Sequence, residues 1–239
     1  MMFAHYFGDS RWRKLARAWE YSAGINCPSA EISLLEEAQP SGEPWLSRGY
    51  KPETAWNTIK LRAWRDAVND NAGKDIVLMD ADTLVLGDLA PAFVHDFDIG
   101  YTPRPGRHPL NGGVVFVRGT DAAIQFINDW YDRNMKIMND ADNLRRLLRK
   151  YGGVNQASLG LLLKESSGVR FRKFDCIKWN SVDETWQHYD GTANVVHYKG
   201  ALREMLFMDE YKQDGSPMVR LANLWKCMSG AAEPQAVAQ

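Results

Sequence analysis

Cysteine, net charge and long apolar runs are all scarce in this chain of 239 residues. The three cysteines, Cys27, Cys176 and Cys227, are odd in number and scattered. That pattern excludes a disulfide framework and a cysteine metal cluster. It leaves each thiol as a small packing residue, and a reducing cytoplasm as the expected location. The formal net charge is −1. A near-neutral chain has no general attraction for nucleic acid or for an anionic membrane. No apolar run approaches the about 20 residues that a membrane-spanning helix needs. The opening segment, residues 1–6, has too short an apolar core and no basic residues before it, so a signal peptide is not expected there. No feature of the sequence sets an oligomeric state.

What is present is enough apolar residue, 45%, and enough charge, 25%, for one large globular domain or a domain with an appendage. Read in order, the chain alternates strand and helix. Residues 2–7 read as a strand, and a helix follows to about residue 25 with Asp9 or Ser10 as N-cap. Residues 30–35 read as a second strand. The prolines and glycines of 36–52 make a loop, and 53–71 a second helix. Residues 75–86 form the central strand. Gly87-Asp88 caps a short helix to 94, and 97–102 reads as a strand. Residues 103–109 hold three prolines and a glycine, so they are irregular: a lid or an ordinary surface connection. A strand over 110–117 opens on Asn111-Gly112-Gly113. Thr120 caps a long helix. Residues 142–150 form another, with arginines and a lysine on a solvated face, and Asn155-Gln156 opens a third. Residues 169–174 and 193–198 read as strands, 200–228 as a helical appendage, and 229–239 as a frayed end. This repetition predicts an α/β fold, a mostly parallel sheet with helices on both faces.

The chain is organised around Asp75-Ile-Val-Leu-Met-Asp80-Ala-Asp82-Thr-Leu-Val-Leu86. The apolar run suits a strand buried on both faces. On a continuous strand, Asp80 and Asp82 point the same way. Unpaired burial of two such carboxylates costs several kcal/mol, on the order of magnitude set by ion desolvation. A cation between them is one solution, and a divalent metal suits carboxylate oxygens. The end of a strand in an α/β sheet is where ligands bind. The plainer alternative is a strand ending in a turn, with both carboxylates in water.

Several stretches together resemble one family, the glycogenin-like glycosyltransferases (glycosyltransferase family 8), which have the GT-A fold. They are Lys60-Leu61 on a helix, Val77 to Leu86, Asn111-Gly112-Gly113, Asn155-Gln156 after a glycine pair, and Val195-Val-His197-Tyr-Lys199-Gly200. The resemblance covers residues 55–205 in matching order. It implies a single Rossmann-like domain over 1–205 and a C-terminal appendage over 206–239. It also implies roles. Asp80, Asp82 and His197 would hold a divalent metal on the diphosphate of a nucleotide-sugar, with UDP-hexose the expected donor. A nitrogen ligand favours Mn²⁺ over the alternative, Mg²⁺. Lys60, Lys199, Gly200 and Arg203 would lie at the phosphates, and Ala81 beside the donor. Asn111, Gly112 and Gly113 would meet the donor sugar. Gln156 would lie beneath the anomeric carbon, Asn155 would stand at the position that holds the sugar hydroxyls, and Tyr6 to Asp9 would form part of the base pocket. The family transfers sugar with retention. The acceptor, a carbohydrate, lipid or protein, is not named by the sequence.

Two positions depart from the family. Asn155 stands where an aspartate is usual, and Arg203-Glu204-Met205 stands for Lys-Pro-Trp. Arg203 can still meet phosphate. Two other readings compete. One is a non-catalytic nucleotide-sugar-binding domain of the same fold. The other is a haloacid-dehalogenase-type phosphatase, whose first motif Asp80-Ala-Asp82-Thr also matches. That family needs the motif on its first core strand, and it leaves Asn111-Gly-Gly and His197 unexplained.

Overall fold

The structure is a computed structural model that describes residues 1–41, 44–47 and 50–232. Parts of the loop expected over 36–52 and of the expected tail lie outside the described residues. The elements in order are β1 (Met2–Phe7), α1 (Ser10–Asn26), β2 (Ile32–Glu37), a one-turn helix α2 (Pro44–Ser47), α3 (Pro52–Asp70) and β3 (Ile76–Asp80). There follow β4 (Thr83–Val85), a 3₁₀ turn (Ala90–Val94), β5 (Ile99–Pro103), β6 (Leu110–Val117), α4 (Asp121–Met138), α5 (Ala141–Tyr151) and α6 (Val154–Glu165). The chain closes with β7 (Phe171–Lys173), α7 (Cys176–Trp179), a 3₁₀ turn (Trp186–His188), β8 (Val195–His197), α8 (Gly200–Met205) and α9 (Pro217–Ala232).

Six strands make one sheet in the order β2-β1-β3-β6-β5-β7. The β1/β2, β1/β3 and β5/β7 pairings are parallel, and the two pairings of β6 are antiparallel. The predicted mostly parallel α/β sheet is therefore what the chain forms. Period-two alternation divides the core. Ile76 and Leu78 of β3 pack with α3, α4 and α6 on one face, while Val77 and Met79 pack with Ala16, Trp19 and Ala23 of α1 on the other. Both faces being covered explains why β3 reads as an unbroken apolar run.

Local chemistry places the helices. Asp9 accepts the Trp12 backbone N–H and starts α1; Thr120 and Asp140 do the same for α4 and α5. Gly152, at φ 78°, ends α5 in a left-handed conformation that a side chain would strain. A third apolar cluster joins Leu15 and Ala18 of α1 to Leu221, Ala222 and Trp225 of α9. No helix among the described residues is long and apolar enough to cross a membrane.

Three sequence expectations need correction. The central strand is not continuous: it ends at Asp80, and Thr83–Val85 belongs to a separate two-stranded sheet with β8. The loop over 36–52 starts late, because β2 extends to Glu37 beside its parallel partner β1, and it contains α2. Part of the expected frayed end is helical, since α9 runs to Ala232 through residues that include two alanines, strong helix formers. Asp175 caps the short α7.

Candidate active site

The site forms where β3 ends. The chain turns at Ala81-Asp82 and enters β4, whose antiparallel pairing with β8 sets Thr83 opposite His197. The two aspartates therefore converge through a turn between two sheets, not through strand alternation. The turn is pinned twice: Thr83 Oγ1 donates to the Asp80 carbonyl at 2.8 Å, and the Tyr198 N–H donates to the Asp82 carbonyl at 2.7 Å.

His197 Nε2 lies 3.1 Å from Asp82 Oδ1 and 3.6 Å from Asp80 Oδ2. Its Nδ1 lies 3.3 Å from Asn180 Oδ1. A proton on Nδ1 satisfies that oxygen and turns the Nε2 lone pair to the carboxylates, an assignment made from the neighbours. Asn180 is held by its own amide, which donates to Thr102 Oγ1 at 2.9 Å. One donor atom from each of Asp80, Asp82 and His197 lies within 4.8 Å of the others. Two carboxylates and one imidazole, with the second ring nitrogen fixed, fit a divalent cation.

The carboxylates also have organic cations. Lys60 of α3 donates to Asp80 and lies over the Trp64 ring. Arg203 Nη1 of α8 donates to Asp82 Oδ2 at 2.9 Å. Asp82 is buried, which by itself raises its pKa; His197, Arg203 and Lys60 outweigh that and hold it at about 2. The carboxylate is therefore ionised throughout the physiological range.

A cavity of about 580 Å³ opens over this cluster. Asn111, Gly112 and Gly113 of β6 form one wall and Asn155 and Gln156 of α6 another. The two walls are tied, since the Gly112 N–H donates to Gln156 Oε1 at 3.3 Å. Asn155 Oδ1 accepts the Gln156 N–H at 2.9 Å. Gly113 is required by space: a Cβ there would sit 2.4 Å from His197 Cε1. Tyr6, Lys60, Ala81, Lys199 and Arg203 also line the cavity. Lys199 is held 3.5 Å from Asp183, and burial lowers its pKa. Tyr6 donates its hydroxyl to Glu36 at 2.5 Å, and burial raises its pKa.

Asp9 and Gly200 are not among the residues lining the cavity. Asp9 is spent on capping α1, where Oδ1 accepts the Trp12 N–H. Gly200, at φ 54°, turns the chain into α8. Conversely, Trp12, Trp56, Arg104 and His108 line the cavity without having been singled out. The tryptophans carry only the signal of apolar helix positions. Arg104 lies in the proline-rich stretch, whose start it anchors by donating to Glu184 at 2.6 Å and Asp183 at 2.8 Å.

A mostly parallel sheet with helices on both faces, and an Asp-x-Asp turn with a histidine beside a cavity at the strand ends, define the GT-A class of glycosyltransferase fold. Residues 70–200 match the family described as nucleotide-diphospho-sugar transferase, and the chain belongs to that family. Solved structures agree in fold. A glycosyltransferase involved in the glycosylation of the major capsid of PBCV-1 superposes with a TM-score of 0.64 at 14% identity, over 93% of this chain and 98% of that one. GlyE of Streptococcus pneumoniae gives 0.61 at 12%, over 96% of this chain and 61% of that one. The galactosyltransferase LgtC, solved with donor and acceptor sugar analogs, gives 0.59 at 13%, over 98% of both. No curated protein sequence matches the chain. The phosphatase alternative fails on this family membership and on topology, since the aspartate pair follows the third strand in chain order.

Proposed function

We propose that the chain transfers a hexosyl group from a UDP-sugar to a hydroxyl acceptor with retention of configuration, as a glycogenin-like enzyme of glycosyltransferase family 8. The observation that carries this is the meeting of Asp80, Asp82 and His197 at the floor of one cavity. The three come from two distant stretches, and a shared diphosphate-bound cation accounts for all of them together. Mn²⁺ is the ion of choice for such a set, because one ligand is nitrogen. The reading places the transferase domain at 1–205 and an appendage at 206–239. Three free cysteines support a cytoplasmic setting.

When bound, the cation supplies Lewis-acid stabilisation of the charge that develops on the leaving diphosphate. The side chains do the rest. Lys60 and Arg203, already aimed at the carboxylates, share the phosphate charge from two sides, and Lys199 borders it. Asn111 and Gln156 hold the sugar by neutral hydrogen bonds; Asn155 keeps an amide where a carboxylate is usual and steadies the Gln156 backbone. Tyr6 borders the base. Among the described residues, the carboxylates that line the cavity are Asp80, Asp82 and Glu53, and the walls at 111–113 and 155–156 carry only amides and glycines. That supports attack of the acceptor from the leaving-group face, with a phosphate oxygen taking its proton.

A thermal-shift screen of nucleotide-sugars with and without Mn²⁺ identifies the donor, because a ligand of the folded state raises the unfolding midpoint. Release of UDP from a labelled donor then separates an enzyme from a binding domain. A nucleotide-sugar that binds but never turns over, with any acceptor class, would favour the non-catalytic reading that Asn155 suggests.

A further inference from the structure

Arg203 stands on a helix of only six residues. A long side chain on so short an element has little to fix its direction, and ordering it costs rotamer entropy. Here α1 sets the direction. The Arg203 guanidinium lies over the Trp12 ring, 4.9 Å from the centroid, while its Nη1 donates to Asp82. Trp12 is fixed in turn. Its N–H is held by Asp9, and its side chain packs against both the sheet core and the core around α9. The adjacent residues repeat the grip. Arg11 donates to Glu204 at 2.8 Å and lies 4.4 Å over the Phe207 ring. That ion pair is half exposed on both sides and contributes little alone. The Trp12–Arg203 pair differs because both residues line the cavity.

We infer that Trp12 is a positioning residue for the donor diphosphate, holding the Arg203 guanidinium across the mouth of the Asp80–Asp82–His197 cluster. The inference rests on the proposed role of Arg203 at the phosphates. An aromatic face attracts a guanidinium through the ring quadrupole. The guanidinium has five N–H donors: Nη1 donates to Asp82, and others are left to meet a phosphate oxygen. The same contact accounts for the departure at 203–205. An arginine, planar and polarisable, suits a tryptophan platform better than a lysine does. Glu204, one residue on, ties the helix back to α1 through Arg11.

The test is calorimetric titration of UDP in Mn²⁺ with five proteins: wild type, Trp12→Leu, Trp12→Phe, Arg203→Ala and the Trp12→Leu/Arg203→Ala double variant. Trp12→Leu is expected to weaken UDP roughly three- to tenfold. Trp12→Phe should restore most of that loss, because the aromatic face returns. The double variant should bind no more weakly than Arg203→Ala alone, since Trp12 acts only through Arg203. If Trp12→Leu fails to fold, Trp12→Met takes its place with the same expectations. Equal losses in the wild-type and Arg203→Ala backgrounds would mean that Trp12 touches the nucleotide itself, which overturns the assignment. So would wild-type affinity in Trp12→Leu. A wild type that binds no UDP would overturn the donor reading, and this inference with it.

Discussion

His197 Nε2 lies 3.1 Å from Asp82 Oδ1, and the contact is set by strand register: Thr83, the next residue after Asp82, pairs across the β4–β8 ladder with His197. A slip of one residue in that ladder would turn the imidazole to the opposite face and dismantle the cluster. The geometry of the site is thus a property of a two-stranded sheet whose strands have three residues each.

Gly113 backs onto this imidazole, and the ring has almost no free space. An alanine Cβ would fall 2.6 Å from Nδ1, the atom facing Asn180. Gly113→Ala is expected to tilt His197 away from the carboxylates, to cost about 1–3 kcal/mol by overpacking, and to lower Mn²⁺ affinity by roughly tenfold or more as a ligand-orientation defect. Urea unfolding and Mn²⁺ titration measure the two effects. Unchanged metal affinity would show that the ring is not a ligand.

Stability should fall in acid through a residue far from the cavity. Asp98 is buried and accepts from Arg170 Nε at 3.0 Å, the Arg170 N–H at 2.9 Å and Thr120 Oγ1 at 2.8 Å. The Arg170 side chain, with its backbone N–H and Thr120, outweighs burial and holds the carboxyl far below its usual range. A depressed folded pKa means the stabilisation is complete above the unfolded value of about 3.9 and is lost as pH falls below it. Asp98→Asn should cost about 1–3 kcal/mol at neutral pH and flatten the acid limb of the stability profile. A variant whose stability parallels wild type down the acid limb would contradict this.

The stereochemical prediction is retention: an α-linked donor should give an α-linked product. NMR of the product's anomeric proton decides it. A β-linkage would place the enzyme outside the family 8 mechanism.

Much of the architecture was legible because β3 and β6 are apolar throughout and the helices carry their caps, Asp9, Thr120 and Gly152, in plain view. The meeting of Lys60, Asp80 and His197 could be anticipated only from the order of motifs that resemble a family; no local pattern joins residues so far apart. The break at Asp80 was not legible, since Thr83-Leu-Val continues the apolar run and only pairing with β8 reveals a second sheet. Asp9 illustrates the converse. A carboxylate near a site in sequence was already committed to a helix N-terminus. Arg104 and Trp12 were missed because their importance lies in partners, Glu184 and Arg203, that only the fold supplies.

The central claim is that Asp80, Asp82 and His197 form a cation site completed by a nucleoside diphosphate. The most direct measurement is calorimetric titration of UDP, with Mn²⁺ and with chelator, into wild type, Asp82→Asn and His197→Ala. Wild type is expected to bind UDP far more tightly with Mn²⁺, because the diphosphate supplies oxygen ligands that the protein does not. Both variants should lose that metal-dependent gain. Equal UDP affinity of wild type in Mn²⁺ and in chelator, or normal metal binding by His197→Ala, would contradict the site proposed here.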